Sequence, residues 1–141
     1  MQSRLVFGED RRVADWCENQ ILHFSGWGSD PKSIGYEIDG EIRGAVVYTN
    51  YSGANVFATI AMTAPMSKKF LFSIFHAPFL QFCCNHITCC IEESNRKSVN
   101  LCTRLGFTLE GRLRESAIDG EDVLIMGMLK SECKWLGIGK T

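Results

Sequence analysis

The sequence has no excess of charge of either sign. It carries 15 Lys and Arg against 16 Asp and Glu, a formal net charge of −1. That removes the electrostatic basis for non-specific binding to nucleic acid or to an anionic membrane, so neither is an expected partner. Long hydrophobic runs are also missing. The longest, Phe70 to Cys84, is interrupted by Ser73, His76, Pro78 and Gln81, which leaves it too short and too mixed for a transmembrane helix. The opening MQSRLVFGED lacks the apolar core of a secretory leader, so the expected location is the cytoplasm. No internal repeat, linker or low-complexity segment interrupts the chain. The 7 cysteines are odd in number, which argues against a closed disulfide framework, and in the cytoplasm they are expected as reduced thiols.

What is there is ordinary globular composition. The 141 residues are 45% apolar and 22% charged, enough for one domain over residues 1–141 with its own core. Arg4 to Phe7 reads as a short strand closed by Gly8. Glu9 to Phe24 reads as a helix, with Val13, Trp16 or Cys17, Gln20, Ile21 and Phe24 at helical spacing and Asp10 placed to cap it. Ser25 to Ser33, with its glycines, serines and Pro31, reads as a loop. Ser33 to Ile38 and Ile42 to Asn50 read as strands joined at Asp39-Gly40, a two-residue hairpin signal. Val56 to Met62 is a third apolar strand, ended by Ala64 and Pro65. Ser67 to about Phe82 reads as a helix with Leu71, Phe75, Pro78, Phe79 and Phe82 inward. Pro78 should kink or split it.

Residues 86–113, HITCCIEESNRKSVNLCTRLGFTLEGRL, organise the rest. His86 to Ile91 reads as a buried strand. Ser94 or Asn95 can cap a helix in which Val99, Cys102 and Leu105 or Leu101 share a face. Gly106 stops that helix by taking a left-handed conformation cheaply, and Phe107 re-enters the core. Leu109 to Ile118 and Asp122 to Leu129 read as a last hairpin across Asp119-Gly120. Antiparallel hairpins at both ends and a βαβ crossover in the middle imply a mixed α/β sheet with helices on its faces.

Asn95-x-x-Ser98, Leu105-Gly106-Phe107 and Glu110-Gly111-x-x-Arg114 resemble the C-terminal half of the GNAT acetyltransferases. Asp119-Gly120, Asp122, Gly127-Met128, Glu132 and Trp135-Leu136 extend the likeness. Within the family the chain looks most like the branch of ribosomal-protein N-terminal acetyltransferases and their phage-encoded relatives. The likeness is specific over residues 86–136. It implies a GNAT-like α/β (α+β) mixed sheet with a splayed parallel pair, Val56–Met62 and His86–Ile91, whose opening admits acetyl-CoA.

The resemblance also assigns roles. Backbone N–H groups of Ala61 or Met62 would polarise the thioester carbonyl. The helix that starts near Ser67 would receive the pyrophosphate at its N-terminus, with Lys68 and Lys69 adding positive charge. The family carries a Gln or Arg and then two glycines in this turn. Aligned on Pro65, those positions are Lys68, Leu71 and Ser73, and a leucine narrows the approach of phosphate to the backbone. Asn95 would contact the pantetheine arm. Ser98 would lie by the sulfur and act as the acid that protonates the leaving thiolate, while both also suit a helix cap. A family tyrosine falls on Cys102, whose thiol is able to donate a proton but equally reads as a small buried side chain. Glu115 is the assigned base, with Glu92, Glu93 and Glu110 nearby. Val56–Met62 contains no carboxylate, which leaves a base acting through water open.

Cys83-Cys84-Asn85-His86-x-x-Cys89-Cys90 has the composition of a zinc site. Adjacent cysteines on a strand point to opposite faces, however, and no metal is expected. His23 and His76 stand alone and read as structural. Two functions remain. One is acetyl-CoA-dependent N-acetylation of a primary amine on a protein N-terminus, a lysine or a small molecule. The other is a GNAT-fold binding or interaction protein with little or no catalysis. The latter is suggested by the missing glycine pair, the missing tyrosine and the absence of a clear base. The hairpin Leu109–Leu129 and the Phe-rich helix are the candidate surfaces for a homodimer.

Overall fold

The computed structural model describes residues 1–21, 23, 24 and 26–137. Leu22, inside the first expected helix, Ser25, at the start of the expected loop, and residues 138–141 lie outside the described residues. Seven strands form one sheet: β1 (Ser3–Val6), β2 (Lys32–Ile38), β3 (Glu41–Thr49), β4 (Asn55–Met62), β5 (His86–Glu92), β6 (Thr108–Leu113) and β7 (Val123–Leu129). Their order is β1-β2-β3-β4-β5-β7-β6, and every pair is antiparallel except β4–β5. This is the mixed α/β sheet that the sequence predicts.

Three helices cover it: α1 (Asp10–Glu18), α2 (Lys68–His76) and α3 (Arg96–Leu105). One face of the sheet buries Val46, Tyr48, Ile60, Ile87, Cys89 and Ile91 with Phe70, Ile74 and Phe75 of α2 and Val99, Cys102 and Leu105 of α3. The other face packs Ala45 and Val47 against Val13, Ala14 and Cys17 of α1. Helices therefore lie on both faces. No described helix is long and apolar enough to cross a membrane.

Several local signals hold. Asp39 and Gly40 take φ of 51° and 86°, the two left-handed positions of a tight hairpin turn between β2 and β3. Gly106 caps α3 at φ 107°, and Phe107 turns back into the core. Cys89 is buried and Cys90 exposed, as alternation on a strand requires.

Three readings differ from the structure, the end of α1, its cap and the end of β6, while the split of the second long helix at Pro78 is the one the sequence predicts. Helix α1 ends at Glu18 and not at Phe24, because the polar run Glu18-Asn19-Gln20 offers no apolar surface beyond Cys17. The chain leaves through tight turns, Gln20 N to Cys17 O at 2.9 Å and Ile21 N to Glu18 O at 3.1 Å. Asp10 does not cap the helix but receives hydrogen bonds from Ser33 N and Oγ at 2.8 and 2.9 Å, tying α1 to β2. The second long helix is divided. Its α part stops at His76 and a π-helical turn, Ala77–Gln81, carries Pro78. Finally, β6 ends at Leu113, and residues 114–122 form a loop in which Asp119 and Gly120 turn the chain.

Candidate active site

The sheet opens between β4 and β5. Their parallel ladder pairs Asn55 with His86, Val56 with Ile87 and Phe57 with Thr88, and goes no further. Beyond it β4 runs on to Met62 and β5 to Glu92. Each is held on its outer side, β4 by β3 as far as Met62 and β5 by β7 as far as Glu92. The two walls of the gap are thus fixed independently, and the splay expected between Val56–Met62 and His86–Ile91 is present.

Which β4 groups face the gap follows from register. Thr63 N donates to Arg43 O at 2.8 Å. Hydrogen-bonded positions alternate along an antiparallel ladder, so Ala61 and Thr59 direct their backbone groups at Ala45 and Val47. Those of Ile60 and Met62 point the other way, past the end of the β5 ladder. Of the two residues the sequence leaves open, Met62 offers its N–H to the gap. Its side chain is folded aside over Gly44, where a Cβ would come within 2.5 Å of Met62 Sδ.

At the open end lies a cleft of about 400 Å³. It is lined by Met62–Met66 on the β4–α2 connection and by Lys97, Leu101 and Arg104 on α3. Sequence reasoning missed Lys97 and Arg104. Their spacing with Leu101 places all three on one helix face, and that is the signal that could have found them. Ser67 caps α2, its Oγ accepting from Phe70 N at 3.1 Å. Lys68 and Lys69 follow, but they line a second cleft of about 460 Å³ with Ser3, Arg4, Leu5, Phe7 and Tyr36. Leu71 ends the first turn, its N–H bonded to Ser67 O at 3.0 Å, and its side chain is partly buried against the core.

Asn95 caps α3 by accepting from Ser98 N at 3.2 Å, which places Ser98 in the first turn beside the end of β5. Ser94 is not the cap; its N–H and Oγ donate to the Glu121 carboxylate at 2.7 and 2.8 Å. Cys102 faces inward, buried with Val99 and Leu105. A hydrogen bond from the Cys89 thiol lowers its pKa, and burial works against this; Cys89 itself is raised by that bond and by its own burial. Glu115 lies in an exposed turn beyond the edge strand β6, with φ 53°, and its N–H donates to Asp122 Oδ1 at 2.9 Å. Strands β7 and β5 stand between β6 and the gap. The structure therefore sets Met62 at the opening, Lys97 and Arg104 at its mouth, and Asn95 and Ser98 at the start of α3, which follows β5, while Lys68, Lys69 and Glu115 lie elsewhere.

No family model matches the sequence, and no curated protein matches it. Solved structures do. The fold is that of the GNAT acetyltransferases. The chain is similar to the spermidine N-acetyltransferase SpeG of Vibrio cholerae in its N152L form, with 19% identity, 99% of each chain covered and a TM-score of 0.73. A dodecameric form of the same enzyme gives 20% identity, 92% and 95% coverage and a TM-score of 0.69. A GNAT-family acetyltransferase from Streptococcus pneumoniae gives 16% identity, 91% and 99% coverage and a TM-score of 0.68.

Proposed function

We propose that this protein is an N-acetyltransferase that moves an acetyl group from acetyl-CoA to a primary amine. The observation that carries the reading is the gap between β4 and β5, with the backbone groups of Ile60 and Met62 turned into it. A pantetheine arm is an extended chain with two amides, and it matches a strand edge of this kind. The cations Lys97 and Arg104 at the mouth suit the phosphates of the same molecule.

In this reading Met62 N–H polarises the thioester carbonyl, and Ala61 fixes that stretch of β4 to β3. Asn95 presents its amide to the pantetheine. Ser98 protonates the leaving thiolate, with Cys102 the second candidate for that role. The first turn of α2, at Ser67, Lys68 and Lys69, to which the family likeness assigns the pyrophosphate, lines the other cleft, beside β1. Glu115 is the base that the family likeness assigns. Holding amine and thioester together supplies much of the acceleration.

The acceptor is a protein N-terminus, by likeness to the ribosomal-protein branch and its phage-encoded relatives, or a small polyamine, by likeness to SpeG. The protein acts as one domain over residues 1–141, in the cytoplasm, without nucleic-acid or membrane partners, and assembles as a homo-oligomer through the exposed apolar residues of the β6 region. Leu109, Leu113 and Ile118 there are 54%, 47% and 74% exposed. The same apolar edge supports a second reading, a GNAT-fold interaction protein without catalysis.

Melting the protein with and without acetyl-CoA separates the two, since a ligand that binds only the folded state raises the midpoint by mass action. A rise followed by CoA release with an amine panel supports the transferase. A flat response to acetyl-CoA overturns it.

A further inference from the structure

The loop after α1 and the loop between β6 and β7 meet over the end of β5. His23 Nδ1 lies 2.9 and 3.0 Å from the two carboxylate oxygens of Glu92, the last residue of β5. Asp119, from the β6–β7 loop, completes a group whose ligand atoms lie within 4.8 Å of one another. The place matters more than the cluster. Glu92 lies four residues past Thr88, where the β4–β5 ladder stops, about 13 Å further along the strand. By alternation Cys90 and Glu92 face away from Cys89 and Ile91, which are buried under α2 and α3. The group therefore sits on the α1 side of the open gap, across the sheet from the cleft that holds Lys97 and Arg104. Trp27, on the same side, packs with Ala61 against the cluster that contains Ala45 and Val47, and its Nε1 is buried with no hydrogen-bond partner among the described residues.

Such a group could hold a metal ion, but the contact argues otherwise. A direct hydrogen bond of 2.9 Å between imidazole and carboxylate leaves no space for an ion between them. What it does is orient the ring. Glu92 accepts a hydrogen bond from Nδ1–H, which keeps that proton on Nδ1 and leaves Nε2 as the basic nitrogen.

We propose that His23 is the base that deprotonates the acceptor, that Glu92 positions it, and that Asp119 and Glu121 draw in an amine bearing a second positive charge. This rests on the transferase reading above and replaces Glu115 as the base. A primary amine arrives as an ammonium ion, because its ordinary pKa is near 10.4. Nε2 takes one proton, and the freed lone pair attacks the thioester carbonyl carbon. As the C–S bond breaks, the second amine proton passes to the sulfur through Ser98. His23 then returns its proton to water, and acetamide and CoA thiol leave. The carboxylates that face His23 are Glu92, Asp119 and Glu121, and all three raise its pKa, the hydrogen bond His23 gives to Glu92 most, while burial works against them. A raised pKa keeps His23 protonated to higher pH, so the rate should climb as pH rises through it.

The test uses the full chain, acetyl-CoA and spermidine as the probe amine, with kcat and KM followed across pH. His23→Gln should lower kcat about 100-fold and flatten the acidic limb, while the melting shift given by acetyl-CoA is kept. Glu92→Gln should move that limb to lower pH. Asp119→Asn, on an exposed loop, should raise KM for spermidine and leave KM for acetyl-CoA unchanged. A wild-type pH profile in His23→Gln and Glu92→Gln, even with a lower melting temperature, would make the pair a loop fastening and overturn the assignment. So would a zinc-dependent rise in melting temperature that His23→Gln removes. Binding of acetyl-CoA with no turnover of spermidine overturns the dicationic acceptor and leaves the transferase standing. Failure of the wild type to bind acetyl-CoA fails the transferase reading itself.

Discussion

The Tyr48 hydroxyl donates a 2.6 Å hydrogen bond to the backbone carbonyl of Ile74. In an uninterrupted helix that carbonyl would receive the N–H of the residue four positions on, which here is Pro78 and has none. A β3 side chain therefore repairs the break that a proline makes in α2, inside the core beneath the β4–β5 gap. Tyr48 is 3% exposed, and burial raises its pKa far above the ordinary value, so it stays a donor. Tyr48→Phe should leave the shape and strand the carbonyl. The expected loss is about 1–3 kcal/mol, read as a lower urea midpoint at unchanged m-value.

A second fastening depends on pH. Glu37 accepts from Arg4 Nε at 2.6 Å and from an Arg12 terminal nitrogen at 2.7 Å, joining β1, β2 and α1. The hydrogen bonds from Arg4 and then Arg12 hold its carboxyl below the ordinary value of 4.5. A depressed folded-state pKa contributes stability that is complete above the unfolded value and is lost as pH falls through the folded one. Denaturant midpoints measured downward from pH 5.5 should fall below about pH 4.5, and Glu37→Gln should start lower and fall less steeply.

At the mouth of the gap the relevant charges are on α3. If Lys97 and Arg104 meet the phosphates, Lys97→Glu and Arg104→Glu should each raise KM for acetyl-CoA about tenfold and leave kcat near wild type. The effect should shrink as salt is added, because exposed charges are screened over about 10 Å at 0.1 M. Lys68→Glu is the control. If its cleft beside β1 is separate, that variant should change KM much less.

The sequence made most of this architecture legible because its signals are local. Asp39-Gly40, Gly106 and Pro78 each dictate a backbone geometry on their own, and the apolar runs of β4 and β5 name the two strands that part. What stayed hidden depends on distant partners. Nothing near Tyr48 announces Ile74, and nothing near His23, read alone as structural, announces Glu92 at the end of β5. Lys68 and Lys69 attract attention as neighbours at a helix start, whereas Lys97 and Arg104 become a pair only when α3 is wound. Glu115 falls on a strand when the sequence is read as extended to Ile118. With β6 ending at Leu113, that glutamate moves into an exposed turn.

Ser98 and Cys102, the two candidate acids, differ in where they face. Ser98 is in the first turn of α3, half-buried, next to the end of β5. Cys102 lies one turn on, facing the core, 3% exposed, and joined to the Cys89 thiol. A proton donor must reach the sulfur as it leaves, within about 3 Å or through one water. Ser98→Ala should therefore lower kcat about 10- to 100-fold, with KM for acetyl-CoA and the melting temperature little changed. Cys102→Ala should do the reverse. It removes a buried atom that Val99, Leu105 and Cys89 pack around, so stability should fall by about 1 kcal/mol while kcat stays near wild type. A donor role for the thiol would show instead as a rate loss in Cys102→Ala that Cys102→Ser restores, since a hydroxyl of nearly the same shape can carry the proton and a methyl cannot.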